Sequence, residues 1–298
     1  MKSESSTSSW KVSYSDVSVV MPAYNEEASI AALIKRVCAL SDQIEVIVVD
    51  DGSADKTAEV AEAAGARVVR SPYNVGNGAS VKRGILASER AVVLMMDSDG
   101  QHPPEEIPKL LAELGTYDMT VGARTAKSNT DPLRNVGNKL LIHVAQWISG
   151  RRILDLTSGF RAIKSAPLRD YLSLFPNRYS YPTTITLAMM LEGYFVTFVP
   201  MDSIGRREQG SSGLSPVRDF LRFIGIIGRI VVLFSPQRLF VPLGGALFAA
   251  SIVLGMFQYW WTGGLQSASL ALFISSINIA CFGLLADQIA HLRRKRHQ

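Results

Sequence analysis

Two uncharged stretches near the end of this 298-residue chain limit its fold more than any other feature. Residues 239–261 and 265–286 run for 23 and 22 positions without one Asp, Glu, Lys or Arg. Crossing the hydrocarbon of a bilayer takes about 20 apolar residues in a helix, and a soluble core helix rarely stays uncharged for so long. The sequence therefore predicts two transmembrane helices. Thr262-Gly263-Gly264 is too short to hold a domain, so the spans form a hairpin. Tyr259, Trp260 and Trp261 end the first span, where aromatic rings settle at a membrane–water interface. Arg293-Arg294-Lys295-Arg296 follows the second. Basic residues favour the cytoplasmic side, which predicts an in–out–in topology with the N-terminal part and the C-terminus cytoplasmic, at the cell inner (plasma) membrane.

The rest of the chain reads differently. Overall hydrophobic content is 47%, ordinary for a soluble protein, and upstream of the spans it alternates with polar runs as in a globular fold. The first sixteen residues are Ser-rich with no apolar core; they are neither a signal peptide nor a span, and 1–16 is expected to be a disordered tail. From Val17, β-branched runs at 17–21, 44–49, 66–69, 91–96 and 117–121 alternate with helical patterns at 27–40, 54–64, 78–88 and 104–114. Ser53 is a candidate N-cap for the second helix. Strands alternating with helices predict an α/β fold with a mostly parallel sheet covered on both faces. After about residue 125 the pattern fades to helix at 131–149, an extended stretch at 157–163, helix at 183–192 and a strand at 195–199. These complete one domain over 17–212. Residues 213–236 form a greasy helix whose Arg218, Arg222 and Arg229 fall within roughly 40° of each other at 100° per residue, which suits an anionic membrane surface. Residues 237–298 are the two-helix anchor with its basic tail.

In open α/β sheets, ligands bind beyond the carboxyl ends of the strands. Three acidic clusters fall there: Glu26 after the first strand, Asp50-Asp51-Gly52-Ser53 after the second, and Asp97-Ser98-Asp99-Gly100-Gln101 after an apolar fourth. Two carboxylates as close as Asp97 and Asp99 repel unless a cation or proton separates them, and hard divalent ions take oxygen ligands. This predicts a Mg²⁺ or Mn²⁺ site at Asp97, Asp99 and Gln101. The loop Asn74-Val75-Gly76-Asn77-Gly78 lacks the ending of a P-loop and reads as close backbone packing near a nucleotide. Arg124, Arg134, Arg161, Arg206 and Arg207 are candidate phosphate contacts, since a guanidinium fork matches phosphate oxygens.

Other chemistries are disfavoured. The net charge of +5 is spread out, so nucleic acid is not an expected partner. Cys38 and Cys281 show neither metal nor redox spacing, which fits a reducing compartment. The four histidines have no metal-ligand spacing, and His102 borders the acidic cluster, where a surface role competes with a functional one. No G-x-S-x-G elbow points to a hydrolase.

Taken in order, Val-Met-Pro-Ala-Tyr-Asn-Glu-Glu (20–27), Val-Asp-Asp-Gly-Ser (49–53), Met-Asp-Ser-Asp-Gly-Gln-His-Pro-Pro (96–104), Gly-Ala-Arg (122–124) and Thr-Ser-Gly-Phe-Arg (157–161) resemble family 2 glycosyltransferases with the GT-A fold. More narrowly they are similar to dolichol-phosphate mannosyltransferases and bactoprenol-phosphate glycosyltransferases. The resemblance covers about residues 17–212, and the two spans match bacterial members. It implies a nucleotide-sugar donor, UDP- or GDP-linked, bound by Pro22, Tyr24, Glu26, Val49, Asp51, Asp97 and Ser98. It implies a divalent metal on Asp97, Asp99 and Gln101, and gives Asp99, Arg124, Arg134 and Arg207 to catalysis. Asp155, Ser158, Arg161 and Arg206 are assigned to the phosphate of a polyprenyl phosphate acceptor. Members usually continue from an arginine such as Arg207 as R-x-x-G-x-S-K; here Gly210 and Ser212 match while Gly213 replaces the lysine. The expected activity is inverting sugar transfer for cell-envelope glycan or glycolipid assembly. A transferase acting on a sugar hydroxyl or polysaccharide, and a non-catalytic donor-binding scaffold, stay open, as does a homo-oligomer.

Overall fold

The computed structural model describes residues 10–124, 132–177, 180–201, 216–264 and 266–295, with side chains left aside at 132–140, 216–223 and 293–295. The chain divides into two compact units, Met1–Ile224 and Gly225–Gln298.

The first unit is built on seven strands: β1 (Val17–Ala23), β2 (Glu45–Asp50), β3 (Arg67–Arg70), β4 (Val92–Met95), β5 (Met119–Arg124), β6 (Arg161–Lys164) and β7 (Val196–Met201). Their order is β3-β2-β1-β4-β6-β5-β7. All pairings are parallel except those of β6, which runs antiparallel to both β4 and β5. Between the strands lie α1 (Ile30–Cys38), α2 (Thr57–Ala63), α3 (Asn77–Ala87), α4 (Ile107–Glu113), α5 (Pro132–Ser149), α6 (Ser165–Asp170) and α7 (Tyr181–Leu191).

The central strands read as near-continuous apolar runs because both faces are covered. Every residue of β1 is buried. Its side chains alternate between two layers, as a pleated strand requires. Val17, Val19 and Met21 join one core with Val46, Val48, Leu94, the buried stripe Ile30, Leu33, Ile34 and Val37 of α1, and Ile107 and Leu110 of α4. Val20 and Val49 face the other way, against α3, which approaches so closely that a Cβ on Gly84 would run into Val20 and come within 3.1 Å of Val49 Cγ2.

All seven expected strands form, with ends shifted by a few residues. Four expectations are corrected. Ser53 is not the N-cap of α2, whose first residue is Thr57; its hydroxyl accepts a hydrogen bond from the Asn25 N–H instead, and Asp55 accepts the Thr57 N–H. The helix expected at 104–114 opens with a 3₁₀ turn, Pro104–Glu106, before α4. The extended stretch at 157–163 pairs only from Arg161, in the antiparallel sense. The tail expected over 1–16 is structured where it is described: Tyr14–Asp16 form a 3₁₀ turn, and Val12 and Tyr14 pack on the core.

After α8 (Pro216–Phe234), the second unit is dominated by α9 (Gln237–Thr262) and α10 (Ser267–Lys295). In α8, Ile227, Ile230, Val231 and Phe234 are buried, while Arg229 is exposed about 200° around the helix from Ile227. Arg218 and Arg222 lie outside the described side chains. Helices α9 and α10 fold back on each other after Gly263, which takes a φ of 75°. Small residues set the seam: Gly244 meets the Ser276 carbonyl oxygen and Gly283 meets Phe240, where a Cβ would come within 2.7 Å. Gln258, buried near the turn, accepts a hydrogen bond from the Gln266 N–H at 3.2 Å. Outside this seam the apolar side chains point outward, among them Val253, Met256, Phe257 and Trp260. Both helices carry 26-residue segments long and apolar enough to cross a membrane.

The tightness of the α3–sheet contact is directly testable. Gly84→Ala is expected to lower stability by about 1–3 kcal/mol through overpacking. Gly228→Ala, in the interior of α8 where nothing lies within 4 Å, should leave it unchanged or raise it by up to about 1 kcal/mol. Thermal unfolding of the purified variants reads both.

Candidate active site

Strands β2, β1 and β4 are adjacent and parallel, so their carboxyl ends deliver all three acidic turns to one edge of the sheet. Because β6 is antiparallel, its starting end lies at that edge too, and it brings residues 155–160 beside the end of β4. Arg124 arrives there as the last residue of β5.

The turns hold one another. Asn25, at φ 56°, donates its N–H to Ser53 Oγ at 2.9 Å and accepts the Ala54 N–H on Oδ1 at 2.8 Å. Asparagine tolerates that left-handed backbone better than most residues. The Ser98 hydroxyl donates to the Pro22 carbonyl at 2.8 Å, tying the fourth strand's turn to the first's. The Asp51 carboxylate accepts the Val75 and Gly76 N–H groups at 2.9 and 2.8 Å. Gly52, at φ +74°, lies flat against the backbone of Tyr73 and Asn74, where a Cβ would stand 2.6 Å from the Tyr73 carbonyl carbon. The expected close packing of the 74–78 loop is thus observed. Above this frame Tyr24 is exposed, and Glu26 is half-buried with its carboxylate accepting the Ser29 hydroxyl at 2.9 Å. Val49 does not line the edge: its side chain is fully buried against α3.

Asp97 and Asp99 follow the sheet's last paired residues. Asp97 Oδ2 lies against Gly159, where a Cβ would approach it to 2.9 Å, so only glycine leaves the carboxylate its present seat. The Asp97 side chain stays 34% exposed. Asp99 is half-buried and its Oδ1 accepts the Gln101 N–H at 3.2 Å. Two carboxylates and an amide side chain make a hard oxygen donor set that fits Mg²⁺ or Mn²⁺. Among the described residues no group of three or more His, Cys, Asp or Glu could hold a metal ion alone. Such a partial shell matches a cation shared with substrate phosphates.

His102 is not at the surface. Its ring is 6% exposed and stacks on Phe160 at 5.1 Å with an 11° tilt. Nδ1 accepts the Asp97 N–H at 3.1 Å, which places the ring proton on Nε2. Burial holds the imidazole below its ordinary pKa, against the pull of the nearby Asp97 carboxylate. With Nδ1 accepting that amide proton, its 3.9 Å separation from Asp97 Oδ2 is no ion pair.

Arg124 and Asp155 form a bidentate pair, Nε to Oδ2 at 2.8 Å and a terminal nitrogen to Oδ1 at 3.2 Å. The same carboxylate accepts the Thr157 and Ser158 N–H groups. Burial would raise the Asp155 pKa, but the Arg124 guanidinium and the Thr157 N–H more than offset it and hold the acid below the usual carboxylate range. A carboxylate so engaged repels phosphate; Asp155 fixes Arg124 rather than meeting an anion. Arg161 also departs from expectation. It is fully buried, donating to the Ser158 and Pro182 carbonyls and to Thr186 Oγ1, with Nε unpartnered. Burial pushes its pKa down to about 10. It braces the turn at 158–160 from below and presents no fork to a ligand. Ser158 is buried, its hydroxyl accepting the Phe160 N–H. Arg206, Arg207, Gly210, Ser212, Gly213 and the Arg134 side chain lie outside the described residues.

Sequence reasoning passed over His102, Gly159 and the bracing role of Arg161. The Gly-Phe pair inside Thr-Ser-Gly-Phe-Arg was the available signal: a glycine that seats one carboxylate, followed by the ring that His102 stacks on.

A mostly parallel seven-stranded α/β sheet with carboxylates and a braced arginine at its carboxyl edge is an arrangement of the GT-A fold class. The chain belongs to glycosyl transferase family 2, whose profile matches residues 18–172; a second profile, the GtrB C-terminal hairpin, matches residues 235–292. It is a glycosyltransferase. A dolichyl-phosphate hexose transferase of Haloferax volcanii is 33% identical over 68% of this chain and 88% of its own length. An undecaprenyl-phosphate 4-deoxy-4-formamido-L-arabinose transferase of Pseudomonas fluorescens is 31% identical over 80% of this chain and 72% of its own. Among solved structures, glucosyl-3-phosphoglycerate synthase of Mycobacterium tuberculosis in complex with Mn²⁺ and UDP-glucose superposes with a TM-score of 0.58, at 25% identity, covering 72% of this chain and 78% of that one.

The Asp155–Arg124 pair has a defined stability signature. Its acid titrates lower when folded than unfolded, so its contribution is complete above the unfolded pKa of about 3.9 and fades as pH falls through the folded value. Asp155→Asn should cost about 2 kcal/mol at neutral pH. The gap to wild type should narrow on acidification below about pH 4, as followed by thermal unfolding.

Proposed function

We propose that this chain transfers a sugar from a UDP- or GDP-linked donor to a polyprenyl phosphate at the cytoplasmic face of a membrane, inverting the anomeric carbon. One observation carries the reading. The partly exposed carboxylate of Asp97 and the neighbouring Asp99 share a sheet edge with an arginine already held in place, in a chain that ends in two outward-facing apolar helices. The two transferases acting on dolichyl and undecaprenyl phosphates support the acceptor class, and the Mn²⁺–UDP-glucose complex supports the donor class.

In this reading Pro22, Tyr24, Glu26, Asp51 and Ser98 shape the nucleotide subsite, with Val49 contributing only backbone. Asp97, Asp99 and Gln101 hold Mg²⁺ or Mn²⁺, which when bound neutralises the departing nucleoside diphosphate. Arg124, Arg134 and Arg207 meet phosphate oxygens. Arg206 is assigned to the acceptor phosphate, while Asp155, Ser158 and Arg161 act at one remove, by fixing Arg124 and the 158–160 turn.

The acceptor chemistry explains the lack of an obvious catalytic base. A phosphate monoester has its second pKa near 6 and is largely dianionic at neutral pH, so it attacks without first losing a proton. The task left to the protein is to bring two anions together, by guanidinium charge and by orientation. In this reading the hairpin is entered and left on the cytoplasmic side, and the Arg229 face of α8 suits the anionic surface there.

Asp99→Ala should lower transfer by about 100-fold or more while folding and membrane insertion stay intact. The assay follows radiolabelled sugar from UDP- and GDP-linked donors into a lipid extract, with purified protein, undecaprenyl phosphate and Mg²⁺ or Mn²⁺. Full activity in that variant removes the metal site from the reading, and label accumulating in polymer rather than lipid replaces the acceptor.

A further inference from the structure

We propose that His102 is a positioning residue for the metal-binding turn. Its Nδ1 lone pair anchors the backbone of Asp97, and its ring, stacked on Phe160, fixes the turn against the segment that seats the Asp97 carboxylate. The inference rests on the assignment of Asp97 and Asp99 as cation ligands.

The need for such an anchor follows from where the sheet stops. Pairing of β4 with β6 ends at Met95 opposite Arg161. Met96 makes one more bond, donating its N–H to the Val20 carbonyl. The next amide, that of Asp97, has left the ladder, and a backbone N–H hidden from water without an acceptor is costly. His102 folds back five residues later to supply that acceptor at 3.1 Å. Within the loop so closed, Asp99 Oδ1 receives the Gln101 N–H, so the three oxygen-bearing side chains hang from one hydrogen-bonded turn.

The ring does a second job. Phe160, under the imidazole, directly follows Gly159, whose missing Cβ leaves the space occupied by Asp97 Oδ2. Through one side chain the backbone of Asp97 and the wall of its carboxylate are tied together. Movement of either would change the direction in which the carboxylate presents its oxygens. A histidine that only filled the core would need the stack but not the acceptor.

Two substitutions separate those roles. His102→Phe keeps an aromatic ring over Phe160 and removes the acceptor. His102→Asn places Oδ1 the same number of bonds from the backbone as Nδ1 and gives up the outer ring. Mn²⁺ binding to the purified full-length protein is read by the loss of the free-ion electron paramagnetic resonance signal, in the presence of UDP or GDP, whichever the wild type binds; thermal unfolding is read alongside.

His102→Phe is expected to weaken Mn²⁺ binding about tenfold and to lower the melting temperature by a few degrees, since the Asp97 N–H loses its acceptor, and His102→Asn to recover most of the affinity. Selective ¹⁵N-histidine labelling of the wild type, with the His102 signals assigned by their loss in His102→Asn, should show Nδ1 unprotonated and Nε2 protonated. Wild-type affinity in His102→Phe overturns the inference, as does an Nδ1–H tautomer, which needs no folded Phe variant to be seen. Affinity lost equally in both variants in step with melting temperature assigns His102 to packing and also overturns it. These results leave the proposed function standing if the wild type binds Mn²⁺ and Asp99→Ala does not. A wild type that binds no Mn²⁺ with either nucleotide removes both.

Discussion

Carboxylates gathered at one edge of a sheet repel one another, and most of what surrounds this edge answers that repulsion. Asp50 accepts the Ser53 N–H, Asp51 takes two amides from the loop that opens α3, and Asp155 takes two amides and a guanidinium fork. Each such carboxylate is turned into a structural clamp by the donors that converge on it. Asp97 is treated differently. Its backbone is anchored by His102 and its side chain is walled by Gly159, yet a third of it stays exposed. The fold quiets its surrounding acids and leaves charge where a cation can use it.

That separation depends on strand order. With β1 between β2 and β4, the three acidic turns are neighbours whatever their loops do. The antiparallel β6 adds what a purely parallel sheet could not: it carries the 155–160 segment into the edge from the opposite direction, so Asp155 reaches Arg124 at the end of β5 and Gly159 reaches Asp97 beyond β4.

The architecture was legible because its signals are local. Strands such as Val-Ile-Val-Val at 46–49 and Val-Val-Leu-Met at 92–95 are buried on both sides and announce themselves as apolar runs, and the uncharged spans need only counting. The acidic turns were placed correctly because a strand's carboxyl end is itself a sequence feature. What escaped depends on distant partners. Arg161 looks like any surface arginine until α7 lays the Pro182 carbonyl and Thr186 hydroxyl across it, more than twenty positions away. His102 looks solvent-facing beside acids and prolines until Phe160 arrives beneath it. Ser53 sits where a helix cap would, but Asn25, in the turn after β1, claims its hydroxyl.

The antiparallel setting of β6 has a consequence for how such a chain can change over time. A parallel neighbour must be reached by a crossover that climbs the length of the sheet, which ties its connection to a fixed packing helix. Strand β6 lies antiparallel beside β5, so the chain between them only has to leave and re-enter at the same end. The part of that excursion upstream of Asp155, which includes α5, can grow, shrink or be exchanged without re-threading the sheet or disturbing the acidic turns. The ladder holds the acidic turns constant, while the chain beside them is open to remodelling for new second substrates.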